Sequence, residues 1–99
     1  MLSEINGIHH VTSIASEPRQ NDAFFSKILG LRQLKKTVNF DNSSVYHLYF
    51  GDQIGTPGTI MTYFPFLDRK RGTRGLGEVG VVNFAVKKSS IAFWREHLA

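Results

Sequence analysis

Apolar and polar positions alternate along the first stretch of the chain, recur at helical spacing in the next, and then alternate again. Residues 5–15, Ile-Asn-Gly-Ile-His-His-Val-Thr-Ser-Ile-Ala, predict a first strand, because Ile8, Val11, Ile14 and Thr12 suit a pleated, half-buried surface. Ser16 then offers a helix N-cap. Glu17 suits the positive end of the helix dipole, and Pro18 belongs in a first turn, where its missing N–H costs nothing. Phe24, Phe25, Ile28 and Leu29 give that helix one greasy face, and Gly30 is placed to end it in a left-handed conformation. Three further stretches, 32–40, 45–51 and 59–65, have strand character. Turn chemistry separates them at Asp41-Asn42-Ser43-Ser44 and across residues 51–58. The predicted order is β-α-β-β-β.

Residues 66–77 form a basic, glycine-rich loop, after which the pattern starts over. Residues 79–86 predict a strand and Ser89 or Ser90 an N-cap. Ile91, Trp94 and Leu98 at i, i+3, i+7 predict a closing helix. The expected class is therefore α+β. A first βαβββ module spans 1–66, a linker 67–77, and the opening strand and helix of a second module 78–99. A second β-α without its β-β-β leads us to expect a longer natural protein or ancestor.

Composition narrows the chemistry. An apolar fraction of 41% over 99 residues fits a small folded domain rather than a disordered chain. With no cysteine, disulfides, thiolate metal sites and cysteine nucleophiles are out, so a metal must be held by His, Asp, Glu or water. A cytoplasmic address is expected. No apolar run reaches the roughly 18–20 residues of a membrane span, and Met1 to Ser16 lack the basic start and apolar stretch of a signal peptide. The net charge of +4 comes from separate clusters at Lys35-Lys36, Arg69-Lys70-Arg71 with Arg74, and Lys87-Lys88. They form no nucleic-acid motif, so a solvated surface or a pocket rim attracting a small anion is expected rather than a nucleic-acid partner.

Candidate chemistry starts at His9-His10. Strand alternation would place His10 with Ile8, Thr12 and Ile14 and His9 with Val11, Ser13 and Ala15. One ring would then look into a cavity while the other packs beneath it. Parity separates the two without deciding which is a ligand. His47 reads as a hydrogen-bonded histidine between aromatics, and its convergence on His10 depends on a register that the sequence does not carry. His97, in a last helical turn, suits the dipole and is assigned no function. The carboxylates fall in termini, turns or helix surfaces, and no zinc-protease, phosphate-loop or nucleophile-elbow motif occurs.

Gly7-Ile8-His9-His10-Val11-Thr12, Leu29-Gly30-Leu31, the run from Lys35 to Asp41 and the run from Tyr46 to Asp52 together resemble one family. Pro57-Gly58-Thr59 and Thr62-Tyr63-Phe64-Pro65 continue the likeness. These segments resemble the N-terminal part of hydroquinone-type ring-cleaving dioxygenases. Those enzymes belong to the glyoxalase/bleomycin resistance/extradiol dioxygenase superfamily, also called vicinal oxygen chelate. The resemblance implies paired βαβββ modules curled around a divalent metal, Fe(II) in the dioxygenases, held by two His and one carboxylate. It implies His10 as the first-strand metal ligand, with His9 and Thr12 tuning the site as catalytic neighbours. It also implies a small aromatic substrate and O₂ as the partners of the full-length parent. The family's second His and its Glu come from a later module, so the 99 residues alone are expected neither to hold iron tightly nor to cleave rings.

A rival expectation is a metal-free binding module of the bleomycin-resistance kind, with Phe40, Tyr46, Tyr49, Tyr63 and Phe64 lining an aromatic cup. Glyoxalase-like isomerase chemistry needs carboxylate ligands and a base that cannot be placed, and a nonfunctional truncated product is a further alternative. Exposed edges in the unfinished second module predict a homodimer.

Overall fold

The computed structural model describes residues 4–99. The first three positions of the 1–66 module, and of the stretch inspected for a leader, lie outside it. Four strands form one sheet: β1 (His10–Ala15), β2 (Arg32–Val38), β3 (Tyr46–Gly51) and β4 (Ile60–Pro65). Their spatial order is β1-β4-β3-β2, with β1 parallel to β4 and β3 antiparallel to both its neighbours. The parallel pair is made possible by the helix that follows β1 and carries the chain to the far edge of the sheet. The first strand is shorter than its apolar pattern. Residues 5–9 stay outside it, and the strand begins at His10.

The helix α1 (Pro18–Asp22) starts one residue later than Ser16 would set it. Glu17 is the N-cap, in extended conformation, and its carboxylate accepts from the N–H groups of Arg19 at 3.1 Å and Gln20 at 2.7 Å. A carboxylate that neutralises two free N–H donors while facing the positive helix end outcompetes a serine hydroxyl at the preceding position. The helix then widens into a π-helical segment, Ala23–Ile28, where the Leu29 N–H donates five residues back to the Phe24 carbonyl at 2.9 Å. Gly30, at φ +72°, closes it in the left-handed region.

The wider turn changes which apolar residues meet the sheet. Phe25 packs inward, its ring centroid 4.7 Å from that of Tyr63 and 5.4 Å from that of Phe50. Phe24 and Ile28, expected on the same buried face, stay partly exposed. The core consists of Leu48, Phe50, Met61 and Tyr63, flanked by Val11, Ala15, Phe25 and Leu31. Burial pushes the Tyr63 phenol up to about 12, so it remains un-ionised within this core. At the far edge a bulge leaves Leu34 unopposed between Gln33↔Phe50 and Lys35↔Tyr49. A Cβ at Gly51 would lie 2.8 Å from Leu34 Cδ1, so Leu34 occupies the space that glycine leaves.

The second half corrects one expectation. Residues 79–86 form no ladder and are exposed throughout. Val79, Val81 and Phe84 have strand propensity, but a strand exists only against a partner, and none of the described residues supplies one. A 3₁₀ turn (Lys88–Ser90) leads into α2 (Ile91–His97). Ser90 stands at the helix start as expected, yet its hydroxyl donates to the Lys87 carbonyl at 2.7 Å instead of capping an N–H. His97 Nε2 lies 2.8 Å from the Ile28 carbonyl oxygen, to which it donates, and this joins α2 to the end of the π-helical segment. The α+β reading with a βαβββ module stands.

Candidate functional site

Register sorts the sheet's side chains onto two faces. Paired residues share a side, so Leu48↔Tyr63 and Phe50↔Met61 belong with Val11 and Ala15 under the helix. The opposite, helix-free face carries His10, Thr12 and Ile14 from β1, Thr62 and Phe64 from β4, His47 and Tyr49 from β3, and Lys35 from β2. His10 is thus remote from the Phe24/Phe25 side, and its ring is exposed.

His9 does not behave as strand alternation predicts. It precedes the first ladder residue, so its backbone is free to turn, and its Nδ1 comes within 3.0 Å of His10 Nδ1. The rings meet edge to face, with planes at 88°. Instead of packing on opposite sides, the two imidazoles engage each other through Nδ1, and His10 has its Nε2 outside this contact.

His47 converges on the same face. Its ring stacks on Phe64 at 4.0 Å and leans on Tyr49 at 4.3 Å, as expected for a histidine between aromatics. Nδ1 lies 3.0 Å from the Tyr49 hydroxyl and Nε2 3.1 Å from Thr62 Oγ1. Thr62 Oγ1, fully buried, lies 2.7 Å from Thr12 Oγ1. Burial holds the His47 pKa below its ordinary value of 6.5, with smaller contributions from the nearby His10 and Lys35 charges, so the ring is neutral at physiological pH. Thr62 escaped sequence reasoning, which read His47 as a hydrogen-bonded histidine between aromatics and Tyr49 as cup lining without naming the partners of either. The alternation of Leu48 and Phe50 against His47 and Tyr49 was the available signal, but without register it named no partner.

The aromatic cup divides in the same way. Tyr49 and Phe64 belong to the helix-free face. Tyr63 is core, Tyr46 lies on the helix side beneath the Lys36 ammonium, and Phe40 is fully exposed. A wide cleft of about 1170 Å³ runs between β1, α1 and the basic loop, and reaches Thr12 and Ile14 at the β1 edge. Arg69, Lys70, Arg71 and Arg74 rim it, while neither His10 nor His47 lines it.

The donor set is incomplete for a metal. Among the described residues no three His, Asp or Glu side chains come together. Glu17 is spent on the helix cap, Asp22 accepts from Gln33 Nε2 at 2.9 Å, and Asp52 accepts from the Ile54 and Thr56 N–H groups in its turn. His10 can contribute one ligand, and a fixed site needs more than these residues supply.

Comparison with known proteins bears on this partial site. No family model matches the chain. It is 53% identical over 92 residues to MhqE of Bacillus subtilis, whose name calls it a ring-cleaving dioxygenase, covering 93% of this chain and 30% of that protein. It is 39% identical over 97 residues to chlorohydroquinone/hydroquinone 1,2-dioxygenase of Sphingobium indicum, covering 95% of this chain and 30% of that protein. The chain thus spans about 30% of the length of these curated relatives. A crystal structure titled as a Bacillus subtilis dioxygenase superposes with a TM-score of 0.89 at 49% identity, over 93% of this chain and 30% of that one. The Listeria monocytogenes fosfomycin resistance protein FosX, crystallised with Mn(II), superposes at 0.64 with 15% identity, over 95% of this chain and 70% of that one. This last likeness is one of fold.

Proposed function

We propose that the chain belongs to the glyoxalase/bleomycin resistance/extradiol dioxygenase superfamily and is the N-terminal part of a ring-cleaving dioxygenase for hydroquinone- or catechol-like aromatics. The observation that carries the reading is the face on which His10, Thr12, His47 and Tyr49 meet, opposite the helix and clear of the core. In this proposal His10 supplies one ligand to a divalent metal, Fe(II), completed by residues beyond this chain. When bound, that metal would acidify the substrate's hydroxyl and make dioxygen reactive toward the ring. His9, through its Nδ1 contact, fixes the orientation of the His10 ring, and Thr12 offers a hydroxyl beside it. The 1–66 module holds these groups, 67–77 links, and 78–99 opens the second module. The 99 residues alone would neither retain iron tightly nor turn over.

The test is a graft. This chain replaces the matching third of MhqE, and iron content and hydroquinone-dependent O₂ uptake are measured. The graft is expected to bind iron and consume O₂, and His10→Ala within it to lose both, with uptake falling at least about 100-fold. A His10→Ala graft that keeps its iron and its rate would sink the assignment. A second reading, a metal-free binder of aromatic molecules, is favoured by the stacked His47, Tyr49 and Phe64 rings. It predicts aromatic-ligand binding by the chain that is indifferent to added metal.

A further inference from the structure

Tyr49, His47, Thr62 and Thr12 form an unbroken hydrogen-bonded line across three strands, with steps of 3.0, 3.1 and 2.7 Å. Each member can donate or accept, so the line has two possible directions. Chemistry separates them. A neutral imidazole has one acceptor nitrogen and one N–H, and a phenol is a far better donor to such a nitrogen than an acceptor from its N–H. The favoured arrangement has the Tyr49 O–H donating to His47 Nδ1 and His47 Nε2–H donating to Thr62 Oγ1. The one hydrogen of buried Thr62 then goes to Thr12 Oγ1. Thr12 cannot return a hydrogen along the same line, so its own O–H points elsewhere, and Thr12 is exposed on the face that carries His10.

We propose that this line runs from Tyr49 to Thr12 and presents the Thr12 hydroxyl as a hydrogen-bond donor to the phenolate oxygen of an aromatic ligand on the helix-free face. Thr12 touches the ligand; Thr62, His47 and Tyr49 are positioning residues. A hydroxyl that already accepts a hydrogen bond is polarised into a stronger donor, which suits an anionic oxygen better than a neutral one. Lys35, its ammonium 5.7 Å from the centre of the Tyr49 ring, adds positive potential on the same side. The ligand class rests on the ring-cleavage reading above; the direction of the line does not.

Two measurements on the 99-residue chain test it, both without metal or turnover. Imidazole nitrogen chemical shifts read by NMR should show His47 as the Nε2–H tautomer. Tyr49→Phe, which keeps the ring stack, and Thr62→Val should each shift it to a mixture. Titration with para-nitrophenolate, followed by its absorbance, should show affinity falling about tenfold in Thr12→Val and recovering in Thr12→Ser. Tyr49→Phe, which keeps the ring and removes only the first donor of the line, should lower it two- to threefold, roughly the size of a lost cooperative contribution. An Nδ1–H tautomer in the unaltered chain, or Thr12→Val binding the probe as tightly as the unaltered chain, would overturn the proposal. Because neither readout involves oxygen uptake, failure here and failure of the graft are separate results.

Discussion

The Nδ1 atoms of His9 and His10 lie 3.0 Å apart with their ring planes at 88°, so one imidazole must donate while the other accepts. Adjacent residues reach this contact because the strand begins only at the second of them. This places His9 to brace its neighbour's ring, the role proposed for it above.

Removing the brace should affect rate more than metal occupancy. In the MhqE graft, His9→Ala is expected to retain most of its iron and to lose about 10- to 100-fold in O₂ uptake, the range typical of partners that orient a metal ligand. Iron content and uptake measured on one preparation separate this outcome from His10→Ala, which loses both.

The neutral His47 ring makes stability depend on pH with a definite sign. Its folded pKa lies below 6.5, so as pH falls the unfolded chain takes up the proton first. The stabilisation is complete above the unfolded value of 6.5 and is lost as pH drops through the lower folded value. Urea midpoints between about pH 7.5 and about pH 5 should fall more steeply for the unaltered chain than for His47→Gln. Equal slopes would show that burial of this ring has no linkage to folding.

Glu17 and Ser16 make a matched pair for a cap test. Glu17→Ala should cost about 1 kcal/mol by denaturant unfolding, because two helix N–H donors lose their acceptor. Ser16→Ala should fall within about 0.5 kcal/mol of the unaltered chain. The reverse ranking would return the cap to the position that the sequence suggests.

The outer edge of β1 is unpaired among the described residues, and Val79 and Val81 are exposed at 63% and 74%. Two copies of the chain are expected to associate and cover these groups. Light scattering should report a dimer, and Val79→Lys with Val81→Lys should shift the chain to monomer. A strictly monomeric unaltered chain at the highest attainable concentration would count against association.

Much of the fold was legible because its causes are local. Alternation found β2, β3 and β4, turn residues found the breaks, and Gly30 marked the helix end it terminates. The likeness of the His-His-Val and Tyr-His-Leu-Tyr segments pointed to the superfamily. What the sequence withheld is mostly non-local. The apposition of Thr12 with Thr62, 50 residues apart, is a fact of register, and no property of either threonine announces it. The π-helical widening that turns Phe25 inward and leaves Phe24 outside is set by what the helix packs on. Residues 79–86 show the converse case, in which local propensity is present and no partner among the described residues realises it.

The parallel pairing of β1 with β4 has a consequence for assembly. The strand bearing His10 and Thr12 is synthesised before the other three strands of the sheet, and its parallel partner, Ile60–Pro65, emerges some fifty residues later. Until then the histidine pair has no platform, so the segment bearing His10 and Thr12 is made early and seated late, after the β3–β4 hairpin can close. A nascent chain halted before Ile60 would hold every named residue of the helix-free face except Thr62 and Phe64, and would lack the strand pairing that seats them.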